Sequence, residues 1–392
     1  MTNFVGRTAI AGVGATAFSK NSGVSELQLV IEAIMAAVAD AGLELDEVDG
    51  LVTFDLETNT QIEVAHALGL KDVRFFSVTP FGGGGACAVV MHAALAVASG
   101  VAETVVCYRA FNERSGQRFG TGQTLPPPGP HPSSKEVSWS WGAPHGLLTP
   151  AALVAMVAQR YCYEHGVTSE DFGRVSVIDR ANAATNPKAW FHDRPITLAD
   201  HQASPWIVEP LHLLDCCQES DGGVALVVTS VERARKRGGR TAVIKAAAQG
   251  LGPQQGLMVS YSREYLTRMP EIGIVARQLW AQSGLTHDDI DVLMLYDHFT
   301  PYVLIQLEEL GFCGYGEAAM LLASGALNLD GRWPLNPNGG LLGEAYIHGF
   351  NTVAEGVRQV RGEAVNQVKD AANVIVTAGT GIPTSGMILG VE

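Results

Sequence analysis

The sequence predicts an α/β protein built from two similar halves packed about a pseudo-twofold axis, and three observations carry the prediction. One strand-ending pattern occurs twice, a glycine-led helix and strand recur in the same order, and short apolar strands alternate with amphipathic helices. The first copy of the pattern runs Gly42-Leu43-Glu44-Leu45-Asp46-Glu47-Val48-Asp49-Gly50-Leu51-Val52-Thr53-Phe54-Asp55. It returns as Gly284-Leu285-Thr286-His287-Asp288-Asp289-Ile290-Asp291-Val292-Leu293-Met294-Leu295-Tyr296-Asp297. Two copies are too few to stack as a solenoid, so the halves must bury their apolar faces against each other.

Taken in order, Ala9 to Val13 is an apolar strand, and Leu27, Val30, Ile31, Ile34, Met35 and Val38 recur at helical spacing. Four glycines, Gly82 to Gly85, open an apolar helix that includes Met91 to Ala98, and Thr104 to Tyr108 reads as a buried strand. The last quarter repeats this order. Gly339-Gly340 precedes a helix expected to run to about Arg361, and Asn373 to Thr377 is the strand. Between the halves, Leu125-Pro126-Pro127-Pro128-Gly129-Pro130-His131-Pro132 can be neither helix nor central strand, because proline lacks the amide donor and fixes φ. Trp139 and Trp141, a helix from about Pro150 to Glu164, the stretch Arg180 to Trp190 and the loop His192 to Pro195 follow. An insertion this long and aromatic is expected to cover a binding cleft. The expected division is 1–111 with 216–235 for the first half, 112–215 for the insertion and 236–392 for the second half.

Composition narrows the function. The chain has 392 residues, 47% hydrophobic and 17% charged, with a formal net charge of −14. That excludes a nucleic-acid surface, which needs a clustered Lys/Arg field. The start lacks the pattern of a signal peptide and no apolar run is expected to span a membrane, so a cytoplasmic location is expected. Six cysteines show no metal-ligand spacing and are read as reduced, packed thiols. Gly12-Val13-Gly14-Ala15-Thr16-Ala17 fits a loose dinucleotide pattern, but Phe18 to Gly23 intervenes before any helical periodicity. The helix N-terminus then cannot meet a pyrophosphate, and a nucleotide cofactor is not expected.

The two-halves plan, the segment Ser220-Asp221-Gly222-Gly223-Val224-Ala225-Leu226-Val227-Val228 and the phrase Asn336-Pro337-Asn338-Gly339-Gly340-Leu341-Leu342-Gly343 resemble the thiolase superfamily across essentially the whole chain. The likeness is greatest to its sterol-carrier-type, lipid-transfer-protein branch. It implies two five-stranded halves in a five-layered αβαβα fold, a loop domain, a homodimer and an acyl-CoA ligand. Coenzyme A would be part of the substrate, with no separate cofactor and no metal. Members of this branch commonly act with a small OB-fold, zinc-ribbon-related partner, for which the Pro-rich loop and its tryptophans offer a docking surface.

The departures from the thiolase pattern point to the chemistry. The position of the nucleophilic cysteine falls on Gly83, with Cys87 about one turn farther along an apolar helical face; the catalytic histidine becomes Tyr346; and the second catalytic cysteine becomes Thr377 or Ala378. The strand end that carries Asn-Glu-Ala-Phe-Ala in thiolases is Tyr296-Asp297-His298-Phe299-Thr300. Covalent acyl transfer is therefore not expected, while two phenols can move protons and stabilise an oxyanion. These replacements resemble the actinobacterial steroid side-chain-cleaving aldolases of this branch, which release a 17-ketosteroid and propionyl-CoA by retro-aldol cleavage. The resemblance thus implies acid/base roles for Tyr296 and Tyr346. Asp297 either tunes Tyr296 or caps structure as Asp55 would, and His298 and His348 are supporting or general-base groups. Backbone at Gly83, Gly84, Gly340 and Gly381 is expected to bind the thioester or CoA. Two other readings remain: a non-catalytic acyl-CoA or sterol carrier, and a condensing subunit that works with a partner.

Overall fold

The computed structural model describes residues 4–121, 137, 140–379 and 384–392. The Pro-rich loop, Trp139 and Gly381 lie outside them. Eleven strands are described among these residues: β1 (Thr8–Ala15), β2 (Gly50–Phe54), β3 (Phe75–Thr79), β4 (Thr104–Asn112), β5 (Trp206–Val208), β6 (Leu211–His212), β7 (Asp221–Ser230), β8 (Ala242–Gly250), β9 (Val292–Met294), β10 (Asn373–Ala378) and β11 (Thr384–Val391). The ribbon β5-β6 stands apart, and the others run in the order β3-β2-β4-β7-β1-β8-β11-β10-β9. The first five belong to one half and the last four to the other, joined where β1 and β8 pair only through Ala9–Val243 and Ile10–Ala242. The fifth position of the second half is taken by a single parallel bridge, Leu293 to Leu335, rather than by a full strand.

Helices α1 (Glu26–Asp40) and α2 (Gln61–Leu68) cover the outside of the first half. Helix α3 (Ala86–Ser99) touches β2, β4 and β7 as well as β8, β10 and β11, so it lies between the halves. The insertion contributes α4 (Pro150–His165) and α5 (Ser169–Ala184), which pack with α6 (Pro270–Ser283) and α7 (Thr300–Leu310) over the outside of the second half. After the single turn α8 (Gly340–Gly343), α9 (Phe350–Arg361) joins α3 in the middle layer, completing the five-layered αβαβα order. Position in the middle layer explains the composition of Gly82–Ser99. Contrary to expectation, this stretch is long and apolar enough to cross a membrane, but it is a core helix, 67% buried inside the protein.

The repeat has a physical basis. Asp49 accepts from the Glu103 and Thr104 amides, and its counterpart Asp291 accepts from the Ala372 and Asn373 amides, so each copy pins the start of the neighbouring parallel strand. Both copies enter the strand through a capping box, Glu44 with Glu47 and Thr286 with Asp289. The Gly12 and Gly14 pattern is a packing device: a Cβ at either would lie 2.0 Å or 2.1 Å from the α1 carbonyls of Ala37 or Ala33. The expected continuous helix after Gly340 is interrupted instead, because His348 (φ 49°) and Gly349 (φ 84°) are left-handed. Holding a histidine there costs on the order of 1 kcal/mol, a strain that concentrates at functional sites.

Candidate active site

That interruption turns Tyr346 and His348 into a cavity of about 1460 Å³ between the two halves and the insertion. Tyr296 and His298 enter it from the end of β9, and Gly83 from the turn ahead of α3. The Tyr296 backbone is fixed from two sides, since its amide donates to Thr377 Oγ1 (3.0 Å) and its carbonyl accepts from Gln306 Nε2 (2.8 Å). Thr377 in turn donates to Gln306 Oε1 (2.6 Å), so one of the two residues considered for the thiolase second-cysteine position orients a phenol here.

The two phenolic oxygens are 3.0 Å apart. A Cβ built on Gly83 would lie 2.0 Å from the Tyr296 hydroxyl, so that hydroxyl occupies the space a side chain at position 83 would need. Burial pushes both phenols up, and both remain protonated donors at neutral pH. His348 accepts at Nδ1 from Arg109 Nε (3.2 Å), and arginine can only donate, so the imidazole proton resides on Nε2. Burial and then the Arg109 charge hold this ring neutral. Arg109 pairs with Glu57 (3.1 Å), both side chains 1% exposed, and its guanidinium stands 4.0 Å over Phe111, whose ring stacks on His348. His298 has no partner at Nδ1, and burial lowers its pKa to about 3, leaving a neutral base against the Tyr296 ring.

Asp297 takes the capping role that was one of the two expected for it, and its charge is also among the smaller causes that raise the pKa of Tyr296. Its carboxylate accepts from the Leu341 and Leu342 amides at the start of α8 and does not line the cavity. Asp55 does the equivalent for Phe81 and Gly82 ahead of α3, so in both halves the aspartate after the strand-end aromatic caps the glycine turn. Gly340 serves that cap, since a Cβ there would lie 2.2 Å from Asp297 Oδ2. Gly84 is buried behind the wall, where its carbonyl accepts from Ser385. Neither glycine lines the cavity.

Several groups in the cavity wall or directly behind it escaped the sequence reading. Arg109 sits on β4 just past the point where the apolar pattern was expected to end, and a charge inside a buried strand was its one signal. Cys216 and Cys217 line the cavity although they were read only as packed thiols, and burial holds both well above an ordinary thiol pKa. Cys87 is fully buried, with its thiol against the Val376 carbonyl. No thiol at these three positions is poised as a thiolate.

Residues 255–390 match the family model described as thiolase C-terminal domain-like. The chain is 60% identical over 392 residues, covering 100% of both proteins, to a steroid side-chain-cleaving aldolase of Thermomonospora curvata. It is 60% identical over 385 residues, 98% of this chain and 99% of the other, to the 17-hydroxy-3-oxo-4-pregnene-20-carboxyl-CoA lyase of Mycobacterium tuberculosis. A solved structure described as Ltp2-ChsH2(DUF35) aldolase superposes with a TM-score of 0.94 at 60% identity, covering 99% of this chain and 98% of that one.

Proposed function

The chain belongs to the thiolase superfamily and to its steroid side-chain-cleaving aldolases, and we propose that it cleaves a 17-hydroxy steroid C22-acyl-CoA to a 17-ketosteroid and propionyl-CoA. The observation that carries the mechanism is the pair of neutral phenols standing where a nucleophile's side chain would be. His298 takes the C17 hydroxyl proton, the O–H electron pair becomes the carbonyl π bond, and the C17–C20 pair becomes the thioester enolate. The free phenolic O–H and His348 Nε2–H donate to the enolate oxygen. A phenol then delivers a proton to C20, and the proton on His298 returns to the tyrosine pair through Tyr296, so the cycle closes without net proton change. No separate cofactor enters this sequence of steps.

Incubation with such a β-hydroxyacyl-CoA should release equal amounts of ketone and propionyl-CoA, with no acyl adduct on Cys87, Cys216 or Cys217 by mass spectrometry. An acyl-cysteine would sink the non-covalent mechanism, and tight ester binding without any ketone would favour the carrier reading.

The assembly proposed is a homodimer bound to a small OB-fold, zinc-ribbon-related protein. Supporting the dimer, β3 is the terminal strand of the sheet and exposes Phe76 (71%) and Val78 (49%), an apolar edge that a soluble monomer would have to protect. Trp141, 73% exposed within the insertion, is an aromatic anchor available to the second protein. Light scattering should give twice the chain mass, and Phe76→Lys should halve it; a monomeric wild type would overturn the dimer.

A further inference from the structure

The loop between β8 and α6 reaches the cavity with a strained backbone. Gln254 (φ 49°) and Met258 (φ 68°) both lie in the left-handed region, which residues other than glycine rarely adopt. Such strain persists only where the surrounding structure over-determines it. Here the loop is fastened at both ends and at its tip. Arg263 donates to the carbonyls of Pro253 (3.1 Å) and Arg268 (3.2 Å) and pairs with buried Glu271 (2.7 Å). The Gly256 amide donates to Ser260 Oγ (3.0 Å), and the Met258 carbonyl accepts from the Tyr302 hydroxyl (2.9 Å).

What the loop presents is apolar. Residues 251–261 carry no charged side chain, and Leu257, Met258 and Val259 line the cavity together with Ile207 and Leu213 of the insertion. This lining has open surface to offer a ligand, since Leu257 is 40%, Ile207 49% and Leu213 47% exposed. Tyr302 connects the loop to the chemistry. It is a fully buried residue of α7, its ring lies 5.3 Å from that of His298, and its hydroxyl holds the loop. A fused ring system is rigid, so the distance from the apolar lining to His298 decides whether the C17 hydroxyl meets that base. A loop free to shift would lose the register.

We propose that Tyr302 is a positioning residue for the steroid, its hydroxyl holding the Met258 carbonyl and so fixing Leu257, Met258 and Val259 as the wall against which the ring system is registered to His298. The proposal rests on the lyase reading above and adds to it what selects a rigid, fused-ring acyl group. The test measures equilibrium binding of the two products to the full-length chain. Androst-4-ene-3,17-dione, a 17-ketosteroid, reports the wall; propionyl-CoA, which has no rings, reports the rest of the cavity and that each variant is folded. Tyr302→Phe keeps the ring beside His298 and removes the bond to the loop. It should weaken ketosteroid binding about tenfold, the loss of roughly one hydrogen bond, with propionyl-CoA bound as in the wild type. Met258→Gly suits the left-handed backbone and keeps the pinned carbonyl but strips one side chain from the wall, so it too should weaken the ketosteroid selectively. Ketosteroid affinity equal to wild type in either variant, equal weakening of both products, or a wild type that binds no ketosteroid would overturn the assignment. A wild type that binds both products yet cleaves no steroid ester would instead overturn the lyase reading and leave the wall in place.

Discussion

Tyr346→Phe should lower turnover by roughly 10²- to 10⁴-fold, the range for loss of a positioned acid or base, while folding and thioester binding stay close to wild type. The substitution removes one oxygen and keeps the ring, so contacts with Phe111 and His348 survive. What disappears is one half of a hydroxyl pair 3.0 Å apart. Tyr296→Phe should fall in the same range, because the proton taken from the carbinol has to pass that oxygen to reset the pair. A drop in kcat with KM nearly constant would locate the loss in the transition state rather than in binding. If both Phe variants turn over at near-normal rates while His298→Ala abolishes cleavage, the phenols are packing groups and the histidine carries the reaction.

Layer order was legible in the sequence because it rests on local periodicity and on a repeat whose aspartates make the same kind of backbone bond in each half. Asp49 and Asp291 hold adjacent strand starts, and Asp55 and Asp297 cap glycine turns, so the aromatic-Asp ending reports a backbone requirement in both halves. The difference between the halves, Phe54 against Tyr296, is where the hydroxyl pair arises. The helix break at His348 and Gly349 was not legible, since nothing in the apolar pattern around Phe350 distinguishes a continuing helix from one restarted after a left-handed residue. Nor were the buried charges. Arg109 meets Glu57 across 52 residues and His348 across 239, and no local spacing rule relates such positions.

Arg109→Met should destabilise the protein by about 3–5 kcal/mol, the cost of leaving one member of a buried ion pair without its partner. Glu57 would keep its bonds from the Ala110 amide and from Asn59, but its charge would lose the only side-chain cation paired with it among the described residues. A second effect separates this residue from a merely structural arginine. Without the Nε donor, His348 Nδ1 is no longer obliged to accept, and the ring can place its proton on the wrong nitrogen for donation into the cavity. Removing the Arg109 charge also removes one of the causes that hold His348 far below an ordinary histidine, so the imidazole should titrate at higher pH than in the wild type. Turnover of the folded variant should therefore fall, and cleavage should lose rate at low pH, where the ring protonates, over a range in which the wild type does not. Arg109→Lys would retain the charge yet cannot reproduce the planar fork that reaches Glu57 and His348 together, so it should recover stability more than rate. Thermal unfolding and a kcat pH profile on both variants test this. A stable Arg109→Met enzyme with wild-type turnover and an unchanged profile would show that the arginine neither orients the histidine nor neutralises Glu57.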